Sequence, residues 1–275
     1  MTLRYAYNTN GAASHRLDDA LGLIADSGYA GVALTLDHHH LDPFADDWVA
    51  TSERVGARLR MLGLGCVIET GARYLLDPRD KHEPTFVSGS HEGRAVRASF
   101  IERAVDIARI VSAETVSFWA GVPKVGVDRD AAHRWLGEGI DRVLGYASAK
   151  GVELSFEPEP GMLIETVADY ARLALRFPAL RLALDTGHCL VTQDIEPAQA
   201  VRDYADRLGT VSIEDMRRGD HTHLPFGTGD MDIASVLRAL REIGFTRLIC
   251  VELSRESPRA HVAIPESIAY LRALD

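Results

Sequence analysis

The chain has 275 residues, 46% of them hydrophobic and 25% charged, with 23 Gly and 11 Pro; these are the proportions of a globular protein able to bury a large core. Forty Asp and Glu against 30 Lys and Arg leave a formal net charge of −10, the reverse of what a binder of the nucleic-acid backbone needs, so nucleic acid is not expected as a partner. Cys66, Cys189 and Cys250 are odd in number, far apart and set in apolar runs. They read as buried free thiols, which excludes a disulfide scaffold or a Cys-based zinc site and fits a reducing, cytoplasmic setting.

The first residues, MTLRYAYNTNG, lack the apolar stretch of a signal peptide, and no uncharged apolar run is long enough to span a bilayer, so no membrane partner is expected either. Taken in chain order, short apolar runs end in polar clusters and lead into amphipathic helical stretches. LRYAY (3–7) ends at Asn8 and Asn10 and precedes a helix over 14–27, with Ser14 as its N-cap and Gly28 as its stop. GVALTL (31–36) ends in Asp37-His38-His39-His40 before a helix over 44–62, and LGCVIE (64–69) ends at Glu69. A long loop then leads to a helix over 92–111. TVSFWAG (115–121) carries Trp119 and is followed by a helix over 129–149.

The second half repeats the pattern. VELSFE (152–157) ends in Glu157-Pro158-Glu159-Pro160-Gly161 before a helix over 166–176, and RLALD (181–185) ends in Asp185-Thr186-Gly187-His188 before a helix over 197–207. GTVSIED (209–215) leads into the loop RRGDHTHLPFGTG and a helix over 232–243. RLICVEL (247–253) carries Glu252, and a helix over 264–274 closes the chain. Eight uniformly apolar strands, each followed by a helix, predict a parallel sheet covered on both faces. Without a linker or a break, that is one (β/α)8 TIM barrel over residues 1–275, with its site at the C-terminal strand ends. A doubly wound sheet is the rival, but the first turn, NTNGAAS, lacks the G-x-G-x-x-G spacing of a dinucleotide site.

If the barrel forms, the acids ending strands five, six and eight meet in one mouth. As free anions they would repel, unless a cation lies between them. Carboxylates with imidazole suit a divalent ion such as Mn²⁺, Mg²⁺, Co²⁺ or Zn²⁺. The plainer alternative is that each acid caps the following helix; for Glu157, Asp185 and Glu252 together, a shared metal is the stronger reading.

F-E-P-E-P-G (156–161), L-D-T-G-H (184–188), H-T-H-L-P-F-G-T-G (221–229) and V-E-L (251–253) resemble the sugar phosphate isomerase/epimerase superfamily. These are the xylose-isomerase-like barrels related to endonuclease IV. The resemblance spans the chain and implies Glu157, Asp185 and Glu252 as ligands of one divalent metal, with His188 on substrate hydroxyls or a second metal. It departs on strand seven, where the family's His is Ser212. His221 is expected to complete the coordination, with His223 and then Glu214 as the next candidates; both His are otherwise solvated loop residues.

The resemblance further implies that Glu157 and Glu252 remove and return a proton beside a polarised carbonyl, so that a keto-sugar, inosose or related keto-polyol is isomerised or epimerised through an enediolate. The alternatives are a lyase or dehydratase using the same site, an endonuclease IV-like phosphoesterase, or a sugar-binding barrel without catalysis. Substrate recognition is expected from strands one to four. Trp119 is either an aromatic platform for a sugar face or a packed indole. The long loop 69–86 brings Arg73, Lys81 and His82, with Arg73 and Lys81 as anion ligands or solvated charges, and Glu69 and His82 as substrate contacts. Of His38 to His40, at most one imidazole can point inward. A homo-oligomer is a further expectation.

Overall fold

The computed structural model describes residues 2–274. Its strands are β1 (Arg4–Asn8), β2 (Gly31–Thr35), β3 (Gly65–Glu69), β4 (Val116–Phe118), β5 (Leu154–Phe156), β6 (Arg181–Asp185), β7 (Leu208–Ile213), β8 (Asp215–Arg217), β9 (Asp220–Leu224) and β10 (Leu248–Val251). Eight of them close a parallel ring in the order β1-β2-β3-β4-β5-β6-β7-β10, and β8 and β9 form a separate antiparallel pair. Helices α1 (Leu17–Asp26), α2 (Trp48–Leu62), α3 (His91–Val111), α4 (Arg129–Lys150) and α5 (Val167–Arg176) follow the first five strands. Then come α6 (Thr186–Thr192), α7 (Pro197–Asp203), α8 (Ile233–Glu242) and α9 (Ala260–Ala273). This is the (β/α)8 barrel that the alternation predicts. Among the described residues no helix is long and apolar enough to cross a membrane.

Alternation along the strands builds two cores. Outward residues such as Phe118 and Phe156 are fully buried against the helices, their rings edge-to-face at 5.3 Å, and burying each such side chain contributes about 1.5–3 kcal/mol. Inward positions are small: Ala6, Ala33, Val67 and Cys250 pack with Leu248 as a separate cluster. Small residues inside the ring leave space beneath the mouth, and a narrow cavity there is lined by Ser117, Ala183 and Ser212 as well as by Glu157 and Glu252. All three cysteines are buried free thiols.

The element ends differ from the sequence expectation at a few places. Gly28 does stop α1, with φ of +88°. Ser14, expected to cap it, does not: α1 begins at Leu17 with Arg16 as N-cap and no side-chain cap. A 3-10 turn over Thr9–Ala12 uses the preceding residues, and Ser14 instead bonds Ser257 Oγ through its own N–H (2.8 Å) and hydroxyl (3.0 Å). The second helix starts at Trp48, four residues later than expected, and the last starts at Ala260, four residues earlier. The segment read as a loop after strand seven contains the hairpin β8–β9, and the Asp-Thr-Gly-His turn opens the short helix α6.

Candidate active site

A cavity of about 280 Å³ opens over the C-terminal ends of the strands. Ten of the side chains singled out in the sequence line it: Glu69, Arg73, His82, Trp119, Glu157, Asp185, His188, His221, His223 and Glu252; Glu214, the third ligand candidate, does not. Strands supply one side. Glu157 continues β5, its N–H donating to Phe118 O at 2.9 Å, and burial followed by the charges of Glu159 and Glu252 pushes its carboxyl well above the usual carboxylate range. Glu252 follows β10, three strands further around the ring. Its Oε1 accepts from Asn10 Nδ2 at 2.9 Å, so the turn after β1 fixes its direction.

Asp185 ends β6 and divides its two oxygens. Oδ1 accepts the His188 N–H at 3.0 Å and caps α6, so the capping alternative holds for that atom. Oδ2 is buried without a hydrogen-bond partner. Burial would raise this acid, but His188 and His223 hold it below its ordinary value. His188 Nδ1 lies 3.0 Å from Pro158 O, which turns Nε2 toward Asp185 Oδ2 (3.6 Å), Glu159 Oε2 (3.8 Å) and His221 Nε2 (3.1 Å). Burial alone would lower His188, yet Asp185 and Glu159 raise it. His221 is lowered to about 4 by burial and by His188.

His221 and His223 stand two residues apart on β9, and therefore on one face of the hairpin. Three groups bring donor atoms within 4.8 Å of one another: His188/His221/His223, Glu157/Asp185/His188, and Asp185/Glu214/His223. The chemistry of these sets, carboxylate oxygen with imidazole nitrogen, fits a divalent ion, as do the orphaned oxygens of Asp185 and Glu214. His221, expected beside Glu157 and Asp185, groups instead with the other two imidazoles, and Glu252 is in none of the three groups.

The opposite wall is cationic and aromatic. Arg73 and Lys81 line the cavity. The ring of His82 stands edge-on to Trp119 at 5.4 Å, its Nδ1 lies 2.8 Å from Gly71 O, and burial lowers it to about 4, which leaves it neutral. Trp119 is only 4% exposed, a packed indole that nevertheless lines the cavity. Beneath it lies the fully buried Arg97, its guanidinium 4.0 Å from the ring centroid and donating to Thr70 O at 3.0 Å. Glu69 is raised by burial and by Glu252.

Sequence reasoning left several groups out. Glu159, held up at about 7 by burial, lines the cavity two residues beyond Glu157, and period-two alternation within Glu-Pro-Glu-Pro was the signal for it. Ser254 and Arg255 reach the rim from the turn after β10. Arg97 was hidden in a helix, though it falls on the buried stripe with Ile101, Ala104 and Ala108. Two acids named at the end of strand seven part company. Asp215 turns away and accepts the N–H groups of Gly227 (2.9 Å), Thr228 (3.1 Å) and Met231 (3.0 Å), while Glu214 turns toward Asp185. His38 to His40 do not line the cavity: His38 pairs with Asp37, and His40 Nε2 lies 3.2 Å from His15 O.

Comparison with known proteins agrees with this architecture. The model of the xylose isomerase-like TIM barrel family matches residues 21–274. A 3-keto-D-glucoside 4-epimerase from E. coli superposes with a TM-score of 0.78 at 18% identity, covering 99% of this chain and 100% of its own. A D-allulose 3-epimerase from Methylomonas sp. gives 0.75 at 18%, covering 99% and 97%. An IOLI protein with a bound zinc atom gives 0.75 at 14%, covering 99% and 96%. A search of curated proteins found no match. With the family model covering all but the first strand and part of the first helix, the chain belongs to the xylose isomerase-like TIM barrel family.

Proposed function

We propose that the protein is a divalent-metal-dependent epimerase or isomerase acting on a keto-sugar, an inosose or a related keto-polyol. The observation that carries this reading is the pair Glu157 and Glu252, three strands apart on the ring and lining one cavity, with Asp185 and the imidazoles between them. The cavity's volume suits a ligand of monosaccharide size. Epimerase neighbours of the same fold and a zinc-bound one support the reading.

In this scheme Glu157, Asp185 and Glu252 supply carboxylate ligands, and the hairpin β8–β9 supplies imidazole through His221 or His223. A divalent ion held there would supply Lewis-acid stabilisation of the charge that develops on the substrate's carbonyl oxygen. One of the two glutamates removes the proton from the carbon beside the carbonyl as the electron pair moves to that oxygen. The other returns a proton from the opposite face, which inverts the centre. Asn10 keeps Glu252 aimed. His188, with Nε2 turned to the cavity, binds substrate hydroxyls. Trp119 meets the sugar's apolar face, and Arg73, His82 and Glu69 complete the wall.

The test is incubation of the Mn²⁺-loaded protein with a panel of ketopentoses, ketohexoses and inososes in D₂O. Deuterium beside the carbonyl together with an epimeric or isomeric product is expected, both lost in Glu157→Gln and Glu252→Gln. Exchange accompanied by an eliminated product would replace the epimerase with a lyase. No exchange across the panel would overturn the reading.

A further inference from the structure

Strand seven lacks the imidazole that the family's pattern expects, and the structure shows what stands nearby in its place. Ser212 is level with Asp185 in the β6–β7 register and lines the space inside the ring. Two residues on, and so on the same face, Glu214 is fully buried, and neither of its oxygens has a hydrogen-bond partner. The orphaned Oδ2 of Asp185 and the orphaned Nδ1 of His223 face it, with His223 Nδ1 4.0 Å from Glu214 Oε2. One donor atom from each of the three lies within 4.8 Å of the others. The glycine of Thr-Gly-His makes room for this: a Cβ on Gly187 would run into Glu214 Oε1 and the side chain of Met216.

Burying an unpaired polar group costs about 1–3 kcal/mol, and more when it is charged. Three electron-rich atoms facing one another in the interior repel unless a proton or a cation lies between them. We propose that Asp185 Oδ2, Glu214 and His223 form a cation site of this chain, in which Glu214 and His223 take the part of the imidazole absent at Ser212. The inference rests on reading the mouth as a divalent-metal centre and names the ligands that centre uses on strand seven and the hairpin. Asp185 suits the shared position, since its other oxygen is engaged in the cap and its carboxylate cannot turn away. The rival occupant is a proton shared between Asp185 and Glu214.

The test is titration of the chelator-stripped full chain with Mn²⁺, followed by the electron paramagnetic resonance of free Mn²⁺ and by the rise in melting temperature. Wild type is expected to bind. Glu214→Gln and His223→Gln are each expected to weaken binding by at least about 100-fold and to lose the metal-induced rise in melting temperature. Glu214→Gln distinguishes the rivals, because its amide donates to Asp185 as a shared proton does but is a poor ligand. Its stripped form is expected to melt no lower than wild type, which keeps a loss of binding apart from a loss of fold. Mn²⁺ affinity unchanged in both variants would overturn the inference and leave the proposed function standing, as would a loss confined to His221→Gln. A wild-type chain that binds neither Mn²⁺, Co²⁺ nor Zn²⁺ would overturn both.

Discussion

The two ends of the barrel treat their acidic residues in opposite ways. At the N-terminal end, Glu114 is paired with Arg4 at 2.7 Å and also accepts the Leu248 N–H at 3.2 Å, while Glu153 meets Arg181 at 3.1 Å and Arg247. At the C-terminal end, Glu157, Glu159 and Glu214 are each pushed upward by burial, and among the described residues no arginine is paired with any of them. The same ring carries both sets, so the fold does not require the second arrangement. One end spends its charges on closure. The other sets them beside imidazoles and each other rather than beside arginines, the setting in which carboxyl groups are held away from their ordinary titration.

The largest effect should come from the unpaired end. Glu157→Gln is expected to lower kcat by about 10²- to 10⁴-fold, the range for losing a general base, with a melting temperature unchanged or higher. A matching loss of stability would break the contrast between the ends. Asp185 should separate its two oxygens. Asn keeps an oxygen for the cap but not the anionic ligand, whereas Ala loses both. Both variants are expected to lose Mn²⁺ binding, and Ala alone to lose a further ~1 kcal/mol in urea unfolding.

At the paired end the ranking reverses. Glu114→Ala is expected to cost about 1–2 kcal/mol of stability and to leave kcat and KM unchanged, measured by denaturation and by steady-state rates. A further effect concerns pH. The Glu159 carboxyl is raised by burial from its ordinary 4.5 to about 7, so the folded protein holds its proton more tightly than the unfolded chain does. The contribution of Glu159 to the stability of the stripped protein should therefore fall as pH rises from about 4.5 to 7, with Glu157 and Glu214 extending the decline to higher pH. Glu159→Gln should flatten that part of the profile. A wild-type curve that rises over the same window would contradict it.

The barrel was legible because each strand is a short apolar run with its own polar ending, and eight in succession leave little choice of closure. The candidate site was legible because barrel topology turns eight distant endings into one rim. What escaped has local causes. The hairpin β8–β9 is built from Asp215–Arg217 and Asp220–Leu224, where Met216 and Leu224 are the only apolar residues and are too few for alternation to reveal a face. Helix α6 spans seven residues and begins inside the motif read as a turn. Ser14 has the right chemistry for a cap, but a contact with Ser257, some 240 residues away, decides its use. Arg97 lies within a helix, and nothing local in the sequence shows that its guanidinium packs beneath Trp119.

The hairpin stands outside the ring, rests on α6, and is fastened by Asp215 to the turn at Gly227 and Thr228. Each barrel strand is gripped by two neighbours and can change only in concert with them. The hairpin has no such obligation. Exchanges at positions 221 and 223 are therefore expected to leave closure of the barrel intact. Two of the cavity's imidazoles are thus mounted on a part of the chain that the ring does not need for its closure, while the third, His188, is built into α6.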